Sequence, residues 1–164
     1  MKINPTFSWL LKHPVCFLAF GFGMGLAPKA PGTFGTLPAL PIAFVLLYWC
    51  SISPIFLALS CVLLFVLGCY ICAYTSDLLG VSDYGGIVWD EIVAMLLLLC
   101  CVPLSWFWWL MAFICFRIFD ALKPWPISYF DQHVHGGLGI MLDDILAVIP
   151  SIVVLYVLSL FVTI

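Results

Sequence analysis

Charge is what this sequence has least of. Of 164 residues, five are lysine or arginine and eight are aspartate or glutamate, 8% in all, against roughly 25% in an ordinary soluble domain. Arginine occurs once, at Arg117. With 66% hydrophobic residues and a mean hydropathy of +1.27, the chain has too little polar material to cover a soluble fold. The composition is that of a polytopic membrane protein. Five basic residues without a basic patch exclude nucleic acid as a partner. There is no internal repeat, low-complexity tract or linker, so one domain over residues 1–164 is expected. No clean apolar core followed by a small-residue cleavage site stands near Lys2 and Lys12, so no cleaved signal peptide is expected.

Cysteine is not scarce, but its setting excludes a disulfide or zinc framework. Cys69-x-x-Cys72 has metal-like spacing, yet no second Cys/His pair accompanies it. The other cysteines lie mostly in apolar runs, where cysteine behaves as a small hydrophobe.

The few charges that exist are grouped. Residues 30–76, 92–116 and 145–164 carry none. The first segment is too long for one span, and SISP at 51–54 divides it, Pro54 suiting a helix start. This predicts helices near 37–50 and 54–78. Pro103 divides the second segment into helices near 87–101 and 104–122, and a last helix is expected over about 138–162. A short interfacial helix interrupted by Pro14 is expected near 5–20. The predicted fold is all-α: a polytopic membrane helical bundle of four to five membrane-embedded helices. The turns at 51–53 and 102–105 are uncharged, so every charged residue falls on one side of the membrane. Lys2, Lys12, Lys29, Arg117 and Lys123 make that side the cytoplasm.

Four polar stretches face that side. GFGMGLAPKAPGTFGTLP at 21–38 is too rich in glycine and proline for a regular helix, and can bring backbone N–H groups to an anion. SDYGGIVWDE at 82–91 brings Asp83, Asp90 and Glu91 to a helix start. The helix dipole accounts for one acid there but poorly for three. Neighbours on a helix point about 100° apart, so only one of Asp90 and Glu91 is expected to face a given point directly, unless the other turns to a neighbouring helix. FRIFDALKPWPI at 116–127 places Arg117, Asp120 and Lys123 along one helical face. FDQHVHGGLGIMLDDILAV at 130–148 puts Asp143 and Asp144 inside the start of an apolar helix, where acids point to function.

Carboxylates dominate this set, and all-oxygen donors suit Mg²⁺. Arg117 offers a fork for phosphate oxygens and Lys123 a point charge. The residues therefore describe a membrane-surface, metal-assisted phosphate enzyme. A cation or proton transporter would also carry acids at membrane depth, and a non-catalytic scaffold is a third reading. A transporter needs polar groups through the span, whereas the distal half here is charge-free.

Four motifs, PKAPGTFGTL at 28–37, GGIVWDE at 85–91, FRIFDALKPWPI at 116–127 and VHGGLGIMLDDILA at 134–147, closely resemble the phosphatidylglycerophosphatase A family in order and spacing. The resemblance runs over nearly the whole chain. It implies an all-α bundle in the bacterial inner membrane, multi-pass, with its active site facing the cytoplasm. It also implies Mg²⁺-dependent removal of the terminal phosphate of a phospholipid, phosphatidylglycerophosphate. The polar positions carried over are Thr33, Asp83, Asp90, Glu91, Arg117, Asp120, Lys123, His135, Asp143 and Asp144. Asp90, Glu91, Asp143 and Asp144 are expected to hold metal. Arg117, Lys123, Thr33 and His135 are expected at the phosphate, and Asp83 or Asp120 at the water or leaving oxygen. Tyr84, Lys29 and His133 receive no role.

Other phosphatase chemistries lack their parts. Met111 stands where a Cys-x₅-Arg loop ending at Arg117 needs its cysteine. No DxDxT occurs, and one arginine cannot build an Arg- and His-rich phosphate clamp. Direct attack by water is the simplest reaction left. The sequence is silent on oligomeric state.

Overall fold

A computed structural model describes residues 4–82 and 84–162, so Lys2 and Asp83 lie outside the described residues. Two short helices, α1 (Phe7–Lys12) and α2 (Pro14–Ala19), are followed by a 3₁₀ segment (Gly21–Leu26). Then come α3 (Pro31–Thr36) and α4 (Ala39–Ala43), which runs on as a π-helical turn (Phe44–Trp49). The remaining helices are α5 (Pro54–Leu79), α6 (Trp89–Leu99), α7 (Trp106–Leu122), α8 (Ile127–His133) and α9 (Gly136–Ser159). No strand occurs among the described residues.

Local chemistry sets the helix ends. The Ser53 hydroxyl accepts from the Phe56 N–H and Pro54 occupies the first turn, where its missing N–H costs nothing. Gly80 closes α5 in the left-handed conformation, and its N–H and that of Val81 take up the last carbonyls. The stretch at 21–38, expected to hold no regular helix, contains α3. Pro31 is tolerated in its first turn. Gly35 and Thr36 are buried, and a methyl group on Gly35 would strike Val88, just before α6.

Among the described residues three stretches, Pro31–Trp49, Pro54–Leu79 and Gly136–Ser159, are long and apolar enough to cross a membrane. The expectation of four to five is thus reduced to three. The reason lies in what apolarity serves in each helix. The 11 residues of α6 extend only about 16 Å at 1.5 Å per residue, and all but Leu97 are buried. It is the core of the bundle, not a span. The 17 residues of α7 fall just short of the ~20 that a bilayer core requires. By contrast α5 presents Ile55, Leu63 and Val66 outward, as a lipid-facing helix does.

α5 and α9 run antiparallel. Gly137 meets the Cys69 carbonyl, while farther along Ile145 lies beside Cys61 and Phe65. Small residues let the backbones approach, as in membrane helix pairs generally. Gly68 leaves room for Met141 and Trp89, and the Trp89 indole N–H donates to the Leu64 carbonyl at 3.2 Å. This crossing sets the height at which α9 delivers its acids beside the start of α6.

Gly137→Val is expected to destabilise the protein by roughly 2–3 kcal/mol, because its side chain would overlap α5 backbone that cannot yield. Gly85→Ala, where an added methyl meets nothing within 4 Å, is expected to change stability by less than about 0.5 kcal/mol. Unfolding of the two variants in detergent micelles checks the pair.

Candidate functional site

The polar ends of four helices meet at one end of the bundle around a cavity of about 490 Å³. Asp90 and Glu91 come from the first turn of α6, and Asp120 and the residue after α7, Lys123, from the end of α7. Asp131 comes from α8, and His135, Asp143 and Asp144 from the start of α9.

Asp90 and Glu91 converge, against the expectation that only one of them faces a given point directly. One oxygen from each of Asp90, Glu91 and Asp144 lies within 4.8 Å of the others. Asp144 reaches in from α9, and the extra methylene of Glu91 lets it share a point with its shorter neighbour. All three residues are at most 9% exposed. Asp90 Oδ1, Glu91 Oε2 and Asp144 Oδ2 are buried without a hydrogen-bond partner. A buried carboxylate oxygen left in that state is costly, and a cation is what would satisfy three at once. The donor set is all oxygen, which fits a hard divalent ion, so the cluster can hold a metal. Burial pushes the carboxyls of Asp90 and Glu91 well above the usual range, with added repulsion from Glu91 on Asp90 and from Asp144 on Glu91.

Arg117 stands behind this cluster and does not line the cavity. Its Nη1 is 2.6 Å from Asp120 Oδ2 and 3.6 Å from Glu91 Oε1, and donates to Thr36 Oγ1 at 3.3 Å. The Thr36 hydroxyl in turn donates to the Gly32 carbonyl at 2.7 Å. A methyl group on Gly32 would strike Glu91 Oε1 and the Arg117 guanidinium, so α3 lies directly on this ion pair. Only glycine permits that approach.

Lys123 holds a second pair of acids. Its Nζ is 2.6 Å from Asp131 Oδ1 and also bonds Asp143 Oδ2. Burial works against its ammonium, but the hydrogen bonds to Asp131 and Asp143 outweigh it and raise its pKa above the ordinary lysine value. Its φ of 41° is left-handed, an uncommon conformation for a residue other than glycine. Asp143 therefore pairs with Lys123 and is absent from the three-acid cluster, although its Oδ1 is also buried and unpartnered.

Of the expected positions, Asp90, Glu91, Asp120, Lys123, His135, Asp143 and Asp144 are brought to one cavity. Thr33, on α3, does not line it, and Asp83 lies outside the described residues. Sequence reasoning missed Gly32, Thr36 and Asp131. Thr36 lies four residues after Gly32, on the same helical face, a relation visible only once 31–36 is known to be helical. Asp131 could be found only by knowing that the KPWP turn brings the chain back over Lys123.

The family model for phosphatidylglycerophosphatase A matches residues 17–159. Phosphatidylglycerophosphatase A of Haemophilus influenzae is 46% identical over 154 residues, covering 93% of this chain and 93% of that protein. The Escherichia coli protein of the same name is 42% identical over 149 residues, covering 89% of this chain and 84% of its own length. No solved structure matches.

The raised carboxyls make stability depend on pH. Between the ordinary carboxylate range and the raised values, folded protein binds more protons than unfolded chain, so stability falls as pH rises through that window. A bound cation favours the charged forms and opposes the loss. In chelator, the unfolding temperature in micelles is expected to fall from pH 5 to 8, and Asp90→Asn to flatten the slope. Millimolar Mg²⁺ is expected to restore stability most at pH 8.

Proposed function

This chain belongs to the phosphatidylglycerophosphatase A family, and from that premise we propose how its acidic cavity works as a membrane lipid phosphatase. The protein hydrolyses the terminal phosphate monoester of phosphatidylglycerophosphate, giving phosphatidylglycerol and phosphate in phospholipid biosynthesis. The observation that carries the site assignment is the trio of unpartnered buried oxygens on Asp90, Glu91 and Asp144.

Those three carboxylates would hold Mg²⁺, with Asp143 beside them at the cavity wall. When bound, the ion supplies Lewis-acid polarisation of the phosphoryl group and lowers the pKa of water. The chain's own residues do the remaining work. Arg117, by its contacts to Glu91, Asp120 and Thr36, keeps two acids aimed while its charge limits the repulsion among them. Lys123 is the lysine or arginine that lines the cavity among the described residues. Its exposed partner Asp131 gives way as substrate phosphate takes up the ammonium. His135, exposed at the rim, donates to a second phosphate oxygen. Asp120, which lines the cavity, takes a proton from the attacking water and returns it to the leaving glycerol oxygen. Thr33, on α3, lies away from the cavity lining and acts on substrate outside it, and Asp83 is a second candidate for the acid. The whole chain acts as one domain. It sits in the bacterial inner membrane with the cavity on the cytoplasmic side, to which Lys12, Lys29, Arg117 and Lys123 belong by the positive-inside rule.

Asp90→Asn, Glu91→Gln and Asp144→Asn are each expected to lower kcat on the order of 100-fold or more, the scale of losing one preorganised electrostatic group. Purified protein, phosphatidylglycerophosphate in micelles and phosphate release with and without Mg²⁺ provide the assay. Full activity in all three variants, or undiminished activity in chelator, would overturn the assignment. Arg117 and Lys123 should separate kinetically. Arg117→Lys keeps the charge but not the fork, and is expected to lower kcat about tenfold or more with KM little changed. Lys123→Ala is expected to raise KM as well, since it removes a group that meets substrate before and during reaction.

A further inference from the structure

Beside the acidic cavity, on the outer side of α7 and α9, runs an apolar groove of about 370 Å³. Phe119, Pro124, Leu146, Ile149, Pro150 and Val153 are among its walls, and no charged residue is. We propose that this groove binds one acyl chain of the lipid whose head group occupies the cavity. The proposal rests on the phospholipid phosphatase reading and adds where the lipid's tail is held.

Two observations commit the groove to this occupant. The first is continuity. The same two helix ends line both: Asp120 and Lys123 line the cavity while their chain neighbours Phe119 and Pro124 line the groove, and Asp143 lines the cavity while Leu146, one helical turn along, lines the groove. A phosphomonoester at Lys123 has its glycerol backbone close to Pro124, the next residue in the chain and part of the groove wall. The second is depth. From Asp143 to Val153 the helix descends roughly 15 Å, half of a hydrocarbon core of about 30 Å. That is the reach of a chain confined to one leaflet. Pro150 shapes the floor, because it withdraws the backbone N–H that would bond the Leu146 carbonyl. Ile149 and Val153 are 59% and 56% exposed, so the surface they add is open to lipid.

The test uses full-length protein with two substrates: phosphatidylglycerophosphate carrying sixteen-carbon-class chains, and a short-chain or deacylated form of the same head group. Val153→Trp fills the lower groove without touching the cavity. Its kcat/KM on the long-chain lipid is expected to fall at least about tenfold, because a chain that cannot enter the groove no longer aligns its head group over the cavity. Its rate on the short-chain substrate is expected to stay within about twofold of the unmodified protein. Equal loss on both substrates, or none on the long-chain lipid, would overturn the groove. Photo-crosslinking of the unmodified protein covers a variant that fails to fold and needs no turnover. A mid-chain diazirine on the long-chain lipid is expected to label Leu146–Val153, and labelling confined to α5 would overturn the proposal. If the unmodified protein releases phosphate from neither substrate, the phosphatase reading fails, while the crosslinks still report on the groove.

Discussion

The cost of keeping carboxylates out of water is the constraint on which this structure depends. Asp90, Glu91, Asp143 and Asp144 are all below one-tenth exposed, and the cations packed among them are Arg117 and Lys123. An uncompensated buried charge is among the most destabilising features a fold can carry. The compensation is divided. Arg117 takes Glu91 and Asp120, Lys123 takes Asp143 and Asp131, and one oxygen each of Asp90, Glu91 and Asp144 gathers within 4.8 Å of the others. The unbalanced acid is therefore concentrated where a divalent cation can sit, and the cost of folding becomes affinity for a ligand.

Most of the architecture reads as a means of holding that arrangement at the edge of an apolar bundle. α6 is too short to span but is almost wholly buried, so its first turn is rigidly placed. The glycine contacts between α5 and α9 fix the height of Asp143 and Asp144. α3 lies against the Arg117–Glu91 pair through Gly32 and Thr36, excluding solvent from one side of it. Glu91 faces the cavity on its other side, and Lys123 and the exposed His135 line the same cavity. A polar site on an otherwise apolar molecule suits a substrate with a charged head and a greasy body, provided that Lys123 and a cation held by the acids offset the repulsion between carboxylates and phosphate.

The acids also rule out a simple account based on helix dipoles. A dipole stabilises one carboxylate in the first turn of α6 by roughly 0.3–1 kcal/mol. It does nothing to explain why the second carboxylate is buried beside it, nor why Asp144 on another helix is brought within 4.8 Å. Three like charges gathered in low dielectric are far costlier than the dipole can repay. The raised pKa values of Asp90 and Glu91 let protons neutralise part of that charge, and a shared cation can neutralise it in their place.

From the sequence alone, the all-helical membrane class followed from the scarcity of charge. Helix ends near Pro54, Pro103 and Pro124 followed from proline and turn chemistry, and the roster of acids from their isolation among apolar residues. These are local properties, dictated by solvation and backbone stereochemistry. The tertiary structure decided what depends on neighbours distant in the chain. Apolarity by itself does not tell lipid-facing surface from buried core, so α6 looked like a span until its packing was known. Helical periodicity put Asp90 and Glu91 about 100° apart, and only the approach of α9 showed that both reach Asp144. Thr36, Gly32 and Asp131 carry no signal of their own, because their meaning lies in Arg117 and Lys123, which packing and the turn after α7 bring to them.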